Sequence, residues 1–249
     1  MTEREPFNIY KSGNRSLLGV IGGLGPMATA HFMERIISMT DADTDQEHIR
    51  MVIYNCPDIP DRTGHILDPT APDPLPFLTD IACRLQADGA KEIAIPCVTA
   101  QFYQKKLQEN VTIPVMNGVE EMAEYLRDTG CDSVGILATD GTVKSNLFGD
   151  VFDEYGIKYY YPEEADQKKV MSVIYDQVKA GKKPDVETLT KIADKLVGNG
   201  AKRIILGCTE LSVINDGYEF PDYMIDVLDV MARNCVKHFS KLRSEYEIL

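Results

Sequence analysis

"GAKEIAIPCVTA", from Gly89 to Ala100, and "GAKRIILGCTEL", from Gly200 to Leu211, are two near-copies of one pattern in a chain of 249 residues. Each runs Gly-Ala-Lys into a short apolar stretch, ends it with a cysteine and follows with a threonine: Cys97 with Thr99, Cys208 with Thr209. A short apolar run bounded by turn residues reads as a buried strand of a parallel sheet. Outward from these two runs, short strands alternate with longer helical patterns, which defines an α/β fold. Strands are predicted at Leu17–Gly22, Met51–Asn55, Glu92–Pro96 and Ile113–Met116, and again at Ser133–Ala138, Lys158–Tyr161, Arg203–Leu206 and Tyr223–Ile225. Apolar residues at spacings of three and four predict helices at Ala28–Met39, Phe77–Asp88, Val119–Asp128, Val170–Lys179, Val186–Gly198 and Val227–Leu242. Pro26 suits a first helical turn, and Gly130 and Gly200 suit helix ends.

The opening of each half also matches. "GVIGGLG" (Gly19–Gly25) parallels "GILATDG" (Gly135–Gly141), in the same order and at nearly the same offset as the two cysteines. Such recurrence implies a duplicated unit and two pseudo-symmetric α/β domains, each a short parallel sheet flanked by helices. The first is expected at residues 1–116 plus 226–249, its last helix returning from the far end of the chain, and the second at 117–225. Between Pro57 and Pro76 lie six of the thirteen prolines, which predicts a long ordered loop without helix.

A hydrophobic content of 44% fills a sizeable core, and no apolar run is long enough to span a bilayer. The N-terminus "MTEREPFNIYKSGNRS" is polar and has no apolar signal region, so a cytoplasmic location is expected. A net charge of -13, with no Lys/Arg run longer than two, argues against a nucleic-acid partner and for a small ligand. The six cysteines form no C-x-x-C pair and no zinc spacing, so no metal is expected. Gly23-x-Gly25-x-x-Ala28 imitates a dinucleotide fingerprint, but no acidic residue follows the second strand outside the Pro-rich segment. No cofactor is expected.

Ligands of parallel sheets bind outside the carboxyl ends of the strands, where Cys97 and Cys208 both fall. One cysteine at a strand end is ordinarily a small core residue. Two at matching places of matching units suit opposed bases across a shared cleft, one thiolate removing a proton from a carbon while the other thiol protonates its far face. The N–H groups and hydroxyls of Thr99 and Thr209 can hold a carboxylate beside them. Cys56, Cys83, Cys131 and Cys235 have no such partners. "PEEADQKK" (Pro162–Lys169) reads as a solvated surface run.

The chain from Leu17 to about Lys237 resembles the cofactor-independent aspartate/glutamate racemases. The resemblance is carried by "GVIGGLGPMAT", "DQEH" (Asp45–His48), "PDIPDRT" (Pro57–Thr63), "PCVTA" (Pro96–Ala100), "VKAG" (Val178–Gly181) and "GCTE" (Gly207–Glu210). It implies two pseudo-symmetric domains with the active site between them, a homodimer, and Cys97 and Cys208 as the paired acid/base thiols. It also implies that Arg62 and Lys179 bind a substrate side-chain carboxylate, for which a guanidinium fork and a mobile ammonium are suited. With these, Gly23, Val98, Thr99, Thr142, Thr209 and Glu210 complete the expected substrate-binding set. "GCTE" in place of "GCTH" looks more like the aspartate branch, with glutamate or a broader range of amino acids as the other options. The family's Pro-Cys-Asn-Thr-Ala-His is here Pro96-Cys97-Val98-Thr99-Ala100-Gln101, which removes a donor and a titratable neighbour and puts substrate choice in question. Isomerisation or decarboxylation of a small diacid, and amino-acid binding without turnover, are the competing readings.

Overall fold

Gly89 and Gly200 open the two repeated stretches because each follows a helix whose chain must reverse, and both adopt left-handed backbone, with φ of 97° and 113°. The strand after each can then return against the sheet. The computed structural model describes residues 16–215, 218 and 220–249; the polar stretch at residues 1–15 lies outside them. In chain order the strands are β1 (Leu17–Gly22), β2 (Arg50–Asn55), β3 (Glu92–Ala94), β4 (Ser133–Leu137), β5 (Lys158–Tyr160), β6 (Arg203–Leu206) and β7 (Met224–Asp226). The helices are α1 (Pro26–Met39), α2 (Arg62–Leu67), α3 (Leu75–Asp88), α4 (Gln104–Gln108), α5 (Gly118–Asp128), α6 (Asp140–Lys144), α7 (Leu147–Tyr155), α8 (Glu164–Ser172), α9 (Val186–Gly198), α10 (Thr209–Asn215) and α11 (Val227–Phe239).

Two wholly parallel sheets result, ordered β2-β1-β3 and β5-β4-β6-β7. The α/β class with two parallel sheets flanked by helices is therefore as the sequence indicated. In each sheet the strand from the Gly-rich opening is interior, and the strand leading to the cysteine pairs with it. The expected strand at Ile113–Met116 is reduced to a single bridge, Ile93 to Val115, although it occupies the place that β7 takes in the other sheet. Pro114 has no N–H to extend a ladder. Its carbonyl accepts from Ile93 N and Met116 N donates to Ile93 O, both at 2.9 Å, and there the pairing stops.

The Pro-rich segment departs from expectation, since α2 forms inside it. The prolines cluster at Pro57 and Pro60 and again from Pro69 onward, leaving Asp61 to Asp68 free to coil. Asp61 starts the helix, its carboxylate accepting from Gly64 N at 2.6 Å. The run at Pro162–Lys169 is likewise less exposed than expected. Asp166 is buried and binds Lys169 and Lys195, at 2.7 and 2.6 Å, and Gln167 donates to Ala138 O and to Asp140. Beyond α8 the chain loosens into a π-helical turn at Val173–Val178, where continuous α-helix was expected.

Helix α11 packs on both α1 and α5, and Arg35 of α1 forms a forked pair with Asp229 of α11, at 2.6 and 2.9 Å. Gly23, just past β1, has φ of 93°, and a Cβ on it would lie 2.4 Å from the Cys56 carbonyl carbon. Left-handed strain and the clash together cost about 3 kcal/mol or more. Gly23→Ala is expected to lower the midpoint of thermal unfolding by about 6–12 °C for a chain of this size. An unchanged midpoint in a circular-dichroism melt would contradict that packing.

Candidate active site

Each cysteine is held by the turn that ends its strand. After β3 the chain bends so that Cys97 N donates to Ile95 O at 2.7 Å, and Gln101 braces the same carbonyl through Nε2 at 3.0 Å. A short 3-10 helix, Thr99–Tyr103, then leads away. After β6, Cys208 directly precedes α10, and its carbonyl accepts from Leu211 N at 2.8 Å. Both cysteines are buried, Cys97 at 6% and Cys208 at 4% exposure.

The two cysteines line one narrow inner chamber of about 10 Å³, together with Arg62, Thr63, Val98, Thr99, Thr139, Thr209 and Glu210. A larger outer chamber of about 740 Å³ adjoins it, mostly apolar, with Gly23, Met27, Ile59, Val178, Val213 and Tyr218 on its walls. Asp61, Arg62, Lys179 and Glu210 border both spaces. Cys97 and Cys208 border the smaller space and not the larger.

Arg62 opens α2 and is buried; its Nη1 donates to Ile59 O at 3.3 Å and Pro60 O at 3.1 Å, while its Nε has no partner. Burial works to lower its pKa, but the nearby charges of Cys97, Asp61 and Glu210 outweigh it and hold the guanidinium above its ordinary value. Thr209 is 1% exposed and its hydroxyl also has no partner. Two buried donors without acceptors on one chamber wall are costly unless a ligand satisfies them.

On the Cys208 side, the thiol donates to Glu210 Oε2 at 3.0 Å, and Glu210 Oε1 lies 3.4 Å from Lys179 Nζ. Burial first, and then the Glu210 carboxylate, push the Cys208 thiol well above its ordinary value. Burial opposes the Lys179 charge too, yet Glu210, Cys208, Tyr175 and Cys97 prevail and raise it. Lys179 stands 4.7 Å from the centre of the Tyr175 ring, and the Tyr175 hydroxyl donates to Asp61 at 3.1 Å. Burial, aided by Asp61, pushes that hydroxyl up to about 12. The link joins the π-helical turn to the start of α2 across the mouth of the inner chamber.

The expected site residues are thus largely gathered, with differences in detail. Thr99 reaches the chamber, but its hydroxyl is already engaged with Thr139 at 2.9 Å and Thr142 at 3.1 Å. Thr142 is fully buried and stands behind the wall, whereas Thr139 lines it. Gly23 borders only the outer chamber. Val98 lines the inner chamber while packing into the apolar cluster of Val119, Ile136 and Val227. Sequence reasoning did not single out Asp61, Thr139 or Tyr175; the N-cap position of Asp61 before α2 was the one local signal available. Among the described residues no group of His, Cys, Asp and Glu is placed to hold a metal, and no helix is long and apolar enough to cross a membrane.

Residues 21–235 match the family model described as Asp/Glu/Hydantoin racemase. The chain is 24% identical to the broad specificity amino-acid racemase RacX of Bacillus subtilis (strain 168) over 238 residues, 92% of this chain and 100% of that one. Among solved structures, an aspartate racemase from Picrophilus torridus superposes with a TM-score of 0.79 at 31% identity, covering 94% of this chain and 98% of that one. The fold is shared with the glutamate racemase of Francisella tularensis, solved with D-glutamate, at a TM-score of 0.64 and 18% identity over 90% of this chain and 80% of that one. Two parallel sheets opening on a buried chamber, in a chain with these relatives, define an isomerase. The chain belongs to the Asp/Glu/hydantoin racemase family.

Proposed function

We propose that the protein inverts the α-carbon of an amino acid, with aspartate the first candidate and a broader range the second, using Cys97 and Cys208 as opposed bases. The observation that carries this reading is the inner chamber itself, where two buried thiols share one space with the unpaired donors of Arg62 and Thr209. In the resting form Cys208 keeps its proton, being buried beside a carboxylate. The role of base toward one enantiomer is assigned to Cys97. Its thiolate removes the α-proton, the carbanion flattens, and the Cys208 thiol protonates the opposite face. The Thr209 hydroxyl meets the α-carboxylate and strengthens its hold as charge moves onto that group. The free Nε–H of Arg62 meets a side-chain carboxylate, with Lys179 contributing through the charge it shares with Glu210.

The same reading divides the chain at residues 1–116 with 226–249 against 117–225, so that the cleft between the parts holds the substrate. The homodimer and the cytoplasmic location implied by the resemblance belong to this proposal as well. Incubation with L-aspartate in deuterium oxide, with nothing else added, is expected to replace the α-hydrogen by deuterium and accumulate D-aspartate. Folded protein that exchanges no α-hydrogen across the common amino acids would overturn the reading.

A further inference from the structure

A two-thiol racemase cannot repeat a turnover until its protons are put back. After Cys97 has taken the substrate's proton and Cys208 has given up its own, the chamber holds a Cys97 thiol and a Cys208 thiolate, the reverse of the starting form. To accept the same enantiomer again, Cys208 must gain a proton and Cys97 must lose one. Both cysteines are buried and neither borders the outer chamber, but Cys208 has a carboxylate, that of Glu210, in hydrogen-bond contact with its sulfur.

Glu210 is the group that reaches both sides. One carboxylate oxygen lies 3.0 Å from the Cys208 sulfur, and the side chain borders the inner and the outer chamber alike. Opposite it stands Gly25, where a Cβ would come within 3.2 Å of Oε1, so the absent side chain leaves the carboxylate room to swing. We propose that Glu210 is the proton relay that resets Cys208 between turnovers. Resting on the racemase reading, it extends it from the chemical step to the return of the free enzyme.

The relay balances with water as its only co-reactant. The Glu210 carboxylate takes a proton from water in the outer chamber, releasing hydroxide. The carboxyl then passes that proton to the Cys208 thiolate, its O–H bond breaking as the S–H bond forms and the carboxylate being restored. The Cys97 thiol gives its proton to water entering the emptied inner chamber, and the resulting hydronium neutralises the hydroxide. The charged and titratable groups facing this path are Lys179 and Tyr175 from the π-helical turn and its end, Asp61 and Arg62 at the start of α2, and Cys97 after β3. Lys179 holds the carboxylate at the boundary from its outer side, 3.4 Å from Oε1.

Progress curves started from one pure enantiomer at rising concentration read the reset directly, because a slow return of the free enzyme caps the net rate at high substrate. Glu210→Gln is expected to lower the concentration at which that cap sets in by about tenfold or more, as for loss of a positioned acid/base group. Glu210→Asp, which keeps a carboxylate, is expected to recover part of the difference. Independently of turnover, iodoacetamide labelling of Cys208, followed by mass spectrometry, is expected to move to lower pH in Glu210→Gln, because the neighbouring negative charge is gone. A cap and a labelling profile like those of the native chain in Glu210→Gln would overturn the relay alone. Absence of any α-hydrogen exchange in the native chain would overturn the racemase reading and the relay with it.

Discussion

Cys97→Ser and Cys208→Ser are each expected to lose racemisation by about a thousandfold, within the range a positioned acid or base contributes. A serine hydroxyl in either place is nearly isosteric with the thiol but does not ionise near neutral pH. Inversion needs a base on one face and an acid on the other, so losing either partner stops the net reaction. Proton exchange on a single face needs only one. Each variant is therefore expected to keep washing deuterium into the enantiomer that presents its α-hydrogen to the surviving thiol, and to return it uninverted. Proton NMR of both enantiomers in deuterium oxide separates the two behaviours. Racemisation by either variant at more than about a tenth of the native rate would remove that thiol from the chemistry, since a lost acid or base costs far more.

Arg62→Gln is expected to reduce kcat/KM for aspartate by about 10- to 100-fold, the value of a hydrogen bond to a charged group of about 1.5–3 kcal/mol. Two functions meet in this side chain. Its Nη1 closes the turn of Ile59 and Pro60, and its Nε is buried and unpaired in a side chain that borders the chamber. Glutamine retains a donor for the turn but lacks both the charge and the fork. Lysine is expected to do no better, because a point ammonium cannot serve both directions from one stem. Kinetics read beside a thermal melt separate the binding loss from loosening of the turn. A kcat/KM within twofold of native in a folded Arg62→Gln chain would show that the free Nε–H meets no substrate.

Much of this architecture can be read in the chain because repetition is visible locally. Two Gly-Ala-Lys runs and two glycine-bearing openings disclose both the parallel sheets and the strand that ends in each thiol. Contacts that close the chamber leave no such trace. Tyr175 meets Asp61 across 114 positions and Thr99 meets Thr139 across 40, and nothing in the intervening sequence announces either pairing. α2 was hidden for another reason, since the prolines around it dominated the reading of a segment whose middle contains none. Glu210 was legible as a site residue, but its carboxylate faces the Cys208 sulfur and Lys179, a geometry that its place in the sequence does not foretell.

Pro114 gives the two halves different mechanical character. β6 is laddered on both flanks, to β4 and β7, whereas β3 is laddered to β1 and on its other flank has only the bridge at Val115. A strand tied along one side yields to load at a lower cost than one tied along both. The chamber therefore has one stiff wall, bearing Cys208 and Glu210, and one compliant wall, bearing Cys97. Of the two positions where the chain departs from the family pattern, Val98 lines the compliant wall and Gln101 braces the Ile95 carbonyl behind it. On the proposed racemase reading, adaptation to a new substrate shape costs least there, with Cys208 and Glu210 held in register on the stiff wall.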